Sequence, residues 1–471
     1  MNESLLRRKW KRVVVRSALR RRRVRRYVQR KLAWNRLYRV TSYLKSALWT
    51  APLISIVLVL VAAPFVRRLD AWLDWKIVAI GESGLAAMYQ TVITLTLSFL
   101  VFTFGSLLVA IQVAGGQYTP RIIATMLLRD NAIRVIVGLF LFTLAFAARV
   151  IARIDETANQ LDVAVASTLG ILSIMAFLFL IDYAARLLRP VSIVQRVGEI
   201  GVGVIQSVYP DPTTGSSTAA MARPKDPARV VLHEDTSGVV LAVDLAGLVS
   251  MARGADGMIE FVPHIGDFIA VGEPLFRLHG GAAAIDDRRL RASVALGSER
   301  TMEQDPTFAL RILVDIAIKA LSAAINDPTT AVMAIDQLHR LLRLVGLRDL
   351  RNKELRDDSG MPRVFYFTPN WEDYVHLTCT EIRHCGGGSV QVMRRMRSML
   401  ENLLQSLPPH RHAELRRQLE LLDRTIDDRF AFDEDRALAR TADSQGLGGT
   451  LGLQPSDSAV RAGRETSGPA R

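Results

Sequence analysis

YQTVITLTLSFLVFTFGSLLVAIQVAGGQYTPR, residues 89–121, decides the class of this chain. It stays apolar for longer than the roughly 20 residues a helix needs to cross a bilayer. It is not uniformly apolar. Steps of seven meet Thr91, Ser98, Gly105 and Gln112, and the half-steps add Thr94 and Gly115 among Val101 and Leu108. Seven residues are two helical turns, so these groups share one stripe, while Leu95, Leu97, Phe99, Leu100, Phe102 and Phe104 lie on other faces. Hydroxyls, an amide and a missing side chain on one side of a membrane helix call for protein or water beside them rather than lipid. Two readings follow. The stripe is either a helix-packing surface or a wetted path, with Gln117, Tyr118, Pro120 and Arg121 as a gate or interface where the span meets water.

Outward from this stretch the chain divides into two regimes. Mean hydropathy is +0.19 despite 23% charged residues, and the apolar residues concentrate in the first 182 of 471 positions. Further spans are expected at about Ala47–Val66, Ala132–Ile151 and Val163–Asp182, making four. Residues 1–46 hold 17 Lys and Arg against Glu3 alone, a local +16 within a total of +14, which leaves the rest of the chain at about −2. With Trp10, Trp34, Tyr38 and Tyr43 interleaved, this segment suits anionic lipid head groups beside a span rather than nucleic acid. No apolar core follows within the first 30 residues, so a secretory signal is not expected. Arg121, Arg129, Arg186, Arg189 and Arg196 lie on the same side under a four-span topology, and the loop DETANQLD carries no base. The positive-inside rule then places both termini in the cytoplasm of an inner-membrane protein, against the minor vote of Arg67, Arg68 and Lys76. The two cysteines, Cys379 and Cys385, build no disulfide framework.

The expected organisation is a basic segment 1–46, a membrane region with helical extension 47–208, a linker 209–228, a small β-rich module 229–280, a mainly helical domain 281–435 and a disordered tail 436–471. Period-two runs, RVVLHE, SGVVLAVD, MIEFVPH, DFIAV and PLFRLH, mark the β-rich module. They resemble the barrel-sandwich modules that carry lipoyl or biotinyl groups. The carrier lysine is missing, because no Lys occurs between Asp226 and Lys319. The fold class is therefore α+β: four transmembrane helices followed by a cytoplasmic domain with a barrel-sandwich-like module and a helical C-terminal part.

Two helices begin alike, at Asp305-Pro306-Thr307 and at Asn326-Asp327-Pro328-Thr329. Asp caps the free amides and Pro fits the first helical position, and the same amide ends are candidates for ligand contact. His376, Cys379, His384 and Cys385, with Glu372 nearby, match no metal-ligand spacing, because His384 and Cys385 leave the face shared by His376 and Cys379. There is no GxxxxGK[ST], no Gly-x-Ser-x-Gly and no HExxH, so no catalytic residue, metal or cofactor is expected and an enzyme is not the favoured reading.

Three stretches carry a resemblance: LVAIQVAGGQYTPR, GDFIAVGEPL and RTMEQDPTFALRILVDIAIKALSAAINDPTTA, residues 300–331. Through them the chain resembles the bacterial membrane proteins grouped as domain of unknown function family 2254, over nearly all of residues 45–430. The resemblance implies architecture and a membrane location and brings no biochemical activity with it. The expectation is a multi-pass membrane protein, homo-oligomeric, with a regulatory or assembly domain. It acts as a channel or transport protein, or alternatively as a membrane-tethered scaffold without conduction.

Overall fold

The computed structural model describes residues 34, 35, 38, 50–73, 82–117, 130–152, 160–187, 189–213, 226–350 and 353–448. It is a mixed α+β protein that divides into two compact units. Residues 43–196 and 315–330 form a membrane unit; 1–42, 197–314 and 331–471 form an α+β unit.

The membrane unit holds α1 (Thr50–Leu73), α2 (Glu82–Gln117), α3 (Asn131–Ile151), α4 (Gln160–Leu187) and the start of α5 (Pro190–Val208). Among the described residues three helices are long and apolar enough to cross a bilayer: Gly84–Gln112, Asn131–Ile151 and Leu161–Leu187. In α1 the continuous apolar stretch is shorter, Leu53–Ala62. The bundle packs around Val59, Leu85, Tyr89, Phe146, Ala147, Val163 and Ala166. Phe99 stacks on Phe177 at 4.2 Å between centroids. A Cβ on Gly170 would stand 3.1 Å from Val92, so a larger residue there would push α2 and α4 apart. Val57, Leu58, Ile171 and Leu178 remain exposed, as lipid-facing side chains should.

In the α+β unit two sheets share a core. The strands are β1 (Arg229–Leu232), β2 (Gly238–Val243), β3 (Gly257–Phe261), β4 (Phe268–Ile269), β5 (Pro274–Gly280), β6 (Val294–Gly297), β7 (Lys353–Arg356) and β8 (Pro362–Tyr366). The larger sheet has order β1-β5-β3-β8-β7 and the smaller β4-β2-β6. The β-rich module therefore does not close within 229–280. It recruits β6 and, through the parallel pairing of Ile259 with Val364, the distant β8. The polar stretch 349–362 holds β7, because Lys353, Glu354 and Leu355 pair with Tyr366, Phe365 and Val364 at the sheet edge, where charged side chains stay solvated. Helix α6 (Leu245–Gly254), capped by Asp244, covers the core formed by Val231, Ile259, Phe261, Phe276 and Leu278.

After the short α7 (Asp287–Arg291) come α8 (Pro306–Ala320), α9 (Pro328–Gly346), α10 (Trp371–Gly386), α11 (Val390–Ser406), α12 (His412–Arg429) and α13 (Asp433–Ala439). Alternating Leu and Ile at helical spacing buries Leu310, Leu313, Leu338, Leu341 and Leu342. Folded structure continues past residue 436. The fully buried Arg394 donates to the carbonyls of Thr441 (3.0 Å) and Gly448 (3.1 Å), and the Asp443 carboxylate accepts from the amides of Gln445, Gly446 and Gly448. Residues 449–471 of the expected tail lie outside the described residues.

Candidate functional site

The ends of the membrane helices gather the polar groups. α3 opens with Asp130, whose Oδ1 accepts from the amides of Ala132 (2.9 Å) and Ile133 (3.3 Å). That is an N-cap, satisfying donors a helix start leaves open. The second oxygen, Oδ2, accepts from the Tyr183 hydroxyl at 2.7 Å and from Arg196 Nη1 at 2.9 Å. Asp130 is 3% exposed, so one buried carboxylate joins the start of α3 to the end of α4 and to α5. Burial alone would raise its pKa; the hydrogen bonds from Arg196, Tyr183 and the Ile133 amide outweigh it and hold the carboxyl below its ordinary range. No sequence-level reading singled out Asp130, although an Asp immediately before an apolar span carries a cap signal.

At the end of α2, Lys319 Nζ donates to the Gly115 carbonyl at 3.2 Å. The last carbonyls of a helix have no intrahelical partner, and a cation there also meets the negative end of the helix dipole. Lys319 stands at the end of α8; residues 315–330, which hold the end of α8, the loop and the start of α9, belong to the membrane unit. Two of the three characteristic stretches, AGGQ and the one ending INDPTTA, thus meet through one hydrogen bond.

The stripe of α2 is placed on the outside of its own bundle. Thr91, Thr94, Ser98, Gly105 and Gln112 are all exposed. A Cβ on Gly105 would meet nothing within 4 Å. The three hydroxyls donate backward to the carbonyls of Ala87, Gln90 and Thr94. The buried threonines of α2 are instead Thr96 and Thr103, seven apart and nearly opposite Ser98. Elsewhere the bundle interior pairs Ser173 with Thr143 at 3.1 Å and Ser55 with the Gly138 carbonyl at 2.8 Å. Of the gate residues, the backbone of Gln117 ends α2, while its side chain, Tyr118, Pro120 and Arg121 lie outside the described residues.

The twin Asp-Pro starts both act as caps. Asp305 Oδ1 accepts from the amides of Thr307 (3.0 Å) and Phe308 (3.2 Å), and Asp327 Oδ1 from Thr330 (3.1 Å). Pro306 and Pro328 take the first helical positions. Asn326 turns the α8–α9 loop with φ +48°, and Thr329 is exposed. Asp305 also joins two characteristic stretches: its Oδ2 lies against Gly266 of GDFIAVGEPL, where Arg300 Nε donates to the Gly266 carbonyl at 2.7 Å. Burial raises the Asp305 carboxyl above its ordinary value, against the opposing pull of Thr307 and Arg300. The two starts fall in different units: Asp305 belongs to the α+β unit and Asp327 to the membrane unit.

His376 pairs with Glu414 at 3.4 Å, Cys379 is buried with its thiol pushed up to about 12 by burial, and Cys385 is exposed. Among the described residues no group of three or more His, Cys, Asp or Glu is arranged to hold a metal ion.

An apolar helix bundle joined to an α+β unit defines a membrane protein. The chain belongs to the family described as predicted membrane protein, domain of unknown function 2254, which it matches over residues 45–402. It is similar to uncharacterized proteins of Mycobacterium tuberculosis and Mycobacterium bovis, each 25% identical over 445 residues, covering 90% of this chain and 85% of the relative. No solved structure matches.

Proposed function

We propose that this chain is a non-enzymatic, homo-oligomeric membrane protein in which α2 lines a conducting path and the α+β unit regulates it. The observation that carries this reading is the placement of the α2 stripe. Its own bundle buries the opposite side of the helix and leaves Thr91, Thr94, Ser98, Gly105 and Gln112 uncovered. An exposed amide and a row of hydroxyl oxygens are costly against acyl chains and are accommodated by water or a second copy of the same helix.

A four-span topology with both termini on one side supports the reading. The Asn35 amide donates to the Ala292 carbonyl at 3.2 Å, and both residues belong to the α+β unit. A folded unit lies on one side of a bilayer. Only an even number of crossings returns the chain to that side between residues 35 and 229, and α2, α3 and α4 supply three. Helix α1 supplies the fourth in this reading: its 17 residues ahead of Arg67 rise about 26 Å, close to a hydrocarbon core of about 30 Å. Most of its described apolar side chains, Leu53 to Phe65, are exposed. The basic first 46 residues put this shared side in the cytoplasm, against anionic lipid.

The test is flux through liposomes holding purified protein, paired with mass measurement in detergent. Ser98→Leu and Gly105→Leu should change ion flux while the oligomer persists. An intact oligomer without flux in any form favours a tethered scaffold. Loss of assembly in both variants assigns the stripe to packing.

A further inference from the structure

α2 closes on Gly115 and Gly116, and among the described residues packing requires glycine at neither: a Cβ on either would meet no described atom within 4 Å, and neither has a positive φ. Glycine weakens a helix more than any residue except proline. The final turn of a long membrane helix therefore carries two helix-weakening residues with no steric reason for them among the described residues. Its carbonyls also lack intrahelical partners. One of them, that of Gly115, accepts from the half-buried Lys319 at 3.2 Å.

Lys319 sits on a stiff mount. Ser322 Oγ donates to the Lys319 carbonyl at 2.7 Å, the Asn326 amide to the Ser322 carbonyl at 2.8 Å and the Asp327 amide to the Ala320 carbonyl at 2.7 Å. Asp327 then caps α9 through the Thr330 amide and hydroxyl. The loop is thus pinned from both of its helices. Both helices run on into the α+β unit, whose share begins below residue 315 on α8 and from residue 331 on α9. Lys319 lies within α8 and so moves with that helix.

We propose that Lys319 is a latch on the last turn of α2. In place, it holds the Gly115–Gly116 turn helical; withdrawn with the α8–α9 hairpin, it lets that turn unwind and changes the end of the helix. That this alters conduction rests on the reading of α2 as the path-lining helix. The latch itself does not.

Backbone amide exchange across residues 112–117, measured by mass spectrometry on the full-length protein in lipid nanodiscs, tests it. Lys319→Met should exchange about tenfold faster there, and Lys319→Arg, which keeps the cation, should stay near the parent. Adding Gly115→Ala and Gly116→Ala to Lys319→Met should restore slow exchange, because both methyl groups have room. Unchanged exchange in Lys319→Met, with the Asn326 and Asp327 amides still protected, overturns the latch. If Lys319→Met disrupts the hairpin, the double alanine variant alone decides: it must exchange more slowly than the parent, and equal exchange overturns the proposal. Liposome flux separates this from the reading above. An exchange response without flux in any form supports the latch and rejects the conducting path. Flux that is present while both flux and exchange ignore Lys319→Met rejects the latch and leaves the path standing.

Discussion

Arg196 Nη1 donates to Asp130 Oδ2 at 2.9 Å across 66 residues of sequence, and the same oxygen takes the Tyr183 hydroxyl at 2.7 Å. Removing the carboxylate strands Arg196 and uncaps α3. Asp130→Ala should cost roughly 2–3 kcal/mol, read as a fall in the thermal midpoint in detergent. Tyr183→Phe should cost about 1 kcal/mol. In a double-mutant cycle, Asp130→Asn with Arg196→Met should show a coupling of about 1–2 kcal/mol. The pH dependence has a definite sign. The folded carboxyl lies below its ordinary value, so its contribution is complete above the ordinary carboxylate range and is lost as pH falls through the lower, folded value. Asp130→Asn should flatten the melting profile of the parent below about pH 4.

The local half of this arrangement is legible in the sequence. Asp305 and Asp327 read as caps because a cap needs only the next three residues, and the strand around Val364 reads from its own run of β-prone side chains. The second membrane helix reads from its length. What the chain does not announce is which distant group completes each local one. Asp130 meets a tyrosine 53 residues on, Gly115 meets a lysine 204 residues on, and Val364 finds its partner strand at Ile259. The stripe of α2 was legible as a pattern, while its side of the bundle was not. Thr96 and Thr103 make an equally regular pair, and it is packing, such as that of Phe99 on Phe177 and Phe140, that turns their face inward. Strand β7 escaped because its charged side chains hide the pairing that an edge position permits.

Helix α5 carries three glycines with three different surroundings. A Cβ on Gly201 would stand 2.9 Å from Leu341 and 3.1 Å from Ala309, both in helices that cannot yield easily. On Gly198 it would meet Gln337 Oε1 at 2.2 Å, the end of a side chain that can swing away, and on Gly203 it would meet nothing within 4 Å. Gly201→Ala should therefore cost about 1–3 kcal/mol. Gly198→Ala should cost less than Gly201→Ala, and Gly203→Ala should be neutral or stabilise by up to about 1 kcal/mol through helix propensity alone. Apparent melting temperatures of the three variants should rank in that order; a Gly203→Ala protein as unstable as Gly201→Ala would refute the packing of α5 on α8 and α9.

Asp305 separates the roles of shape and charge at the start of α8. Its carboxyl is 3% exposed, and Oδ2 has no hydrogen-bond partner among the described residues. Burial raises its pKa, so the stability linked to this group is complete below the ordinary carboxylate value and is lost as pH rises through the folded value. Asp305→Asn keeps an oxygen for the Thr307 and Phe308 amides and removes the buried charge. It should match or exceed the parent in stability at neutral pH, with its advantage vanishing toward pH 4. Asp305→Ala loses the cap and should cost about 1–2 kcal/mol. Gly266→Ala should be worse than either, because φ is +94° and the added Cβ would stand 2.4 Å from Oδ2.

The hydrogen bond from Asn35 to Ala292 makes the number of crossings a question of parity that labelling can settle. With four spans, residue 2 and Cys385 face the same compartment and residue 157, between α3 and α4, faces the other. Cys385 is exposed and serves as an internal reporter. In intact cells a membrane-impermeant maleimide should leave Cys385 and an introduced Asn2→Cys unlabelled until the membrane is permeabilised, and should label Thr157→Cys at once. Three spans would instead put Asn2→Cys and Cys385 in opposite compartments. Labelling of Asn2→Cys from outside, with Cys385 protected, would remove α1 from the membrane and with it the pairing of the N-terminal segment with the α+β unit. Labelling of Cys385 from outside would reverse the orientation and detach the basic first 46 residues from the cytoplasmic leaflet.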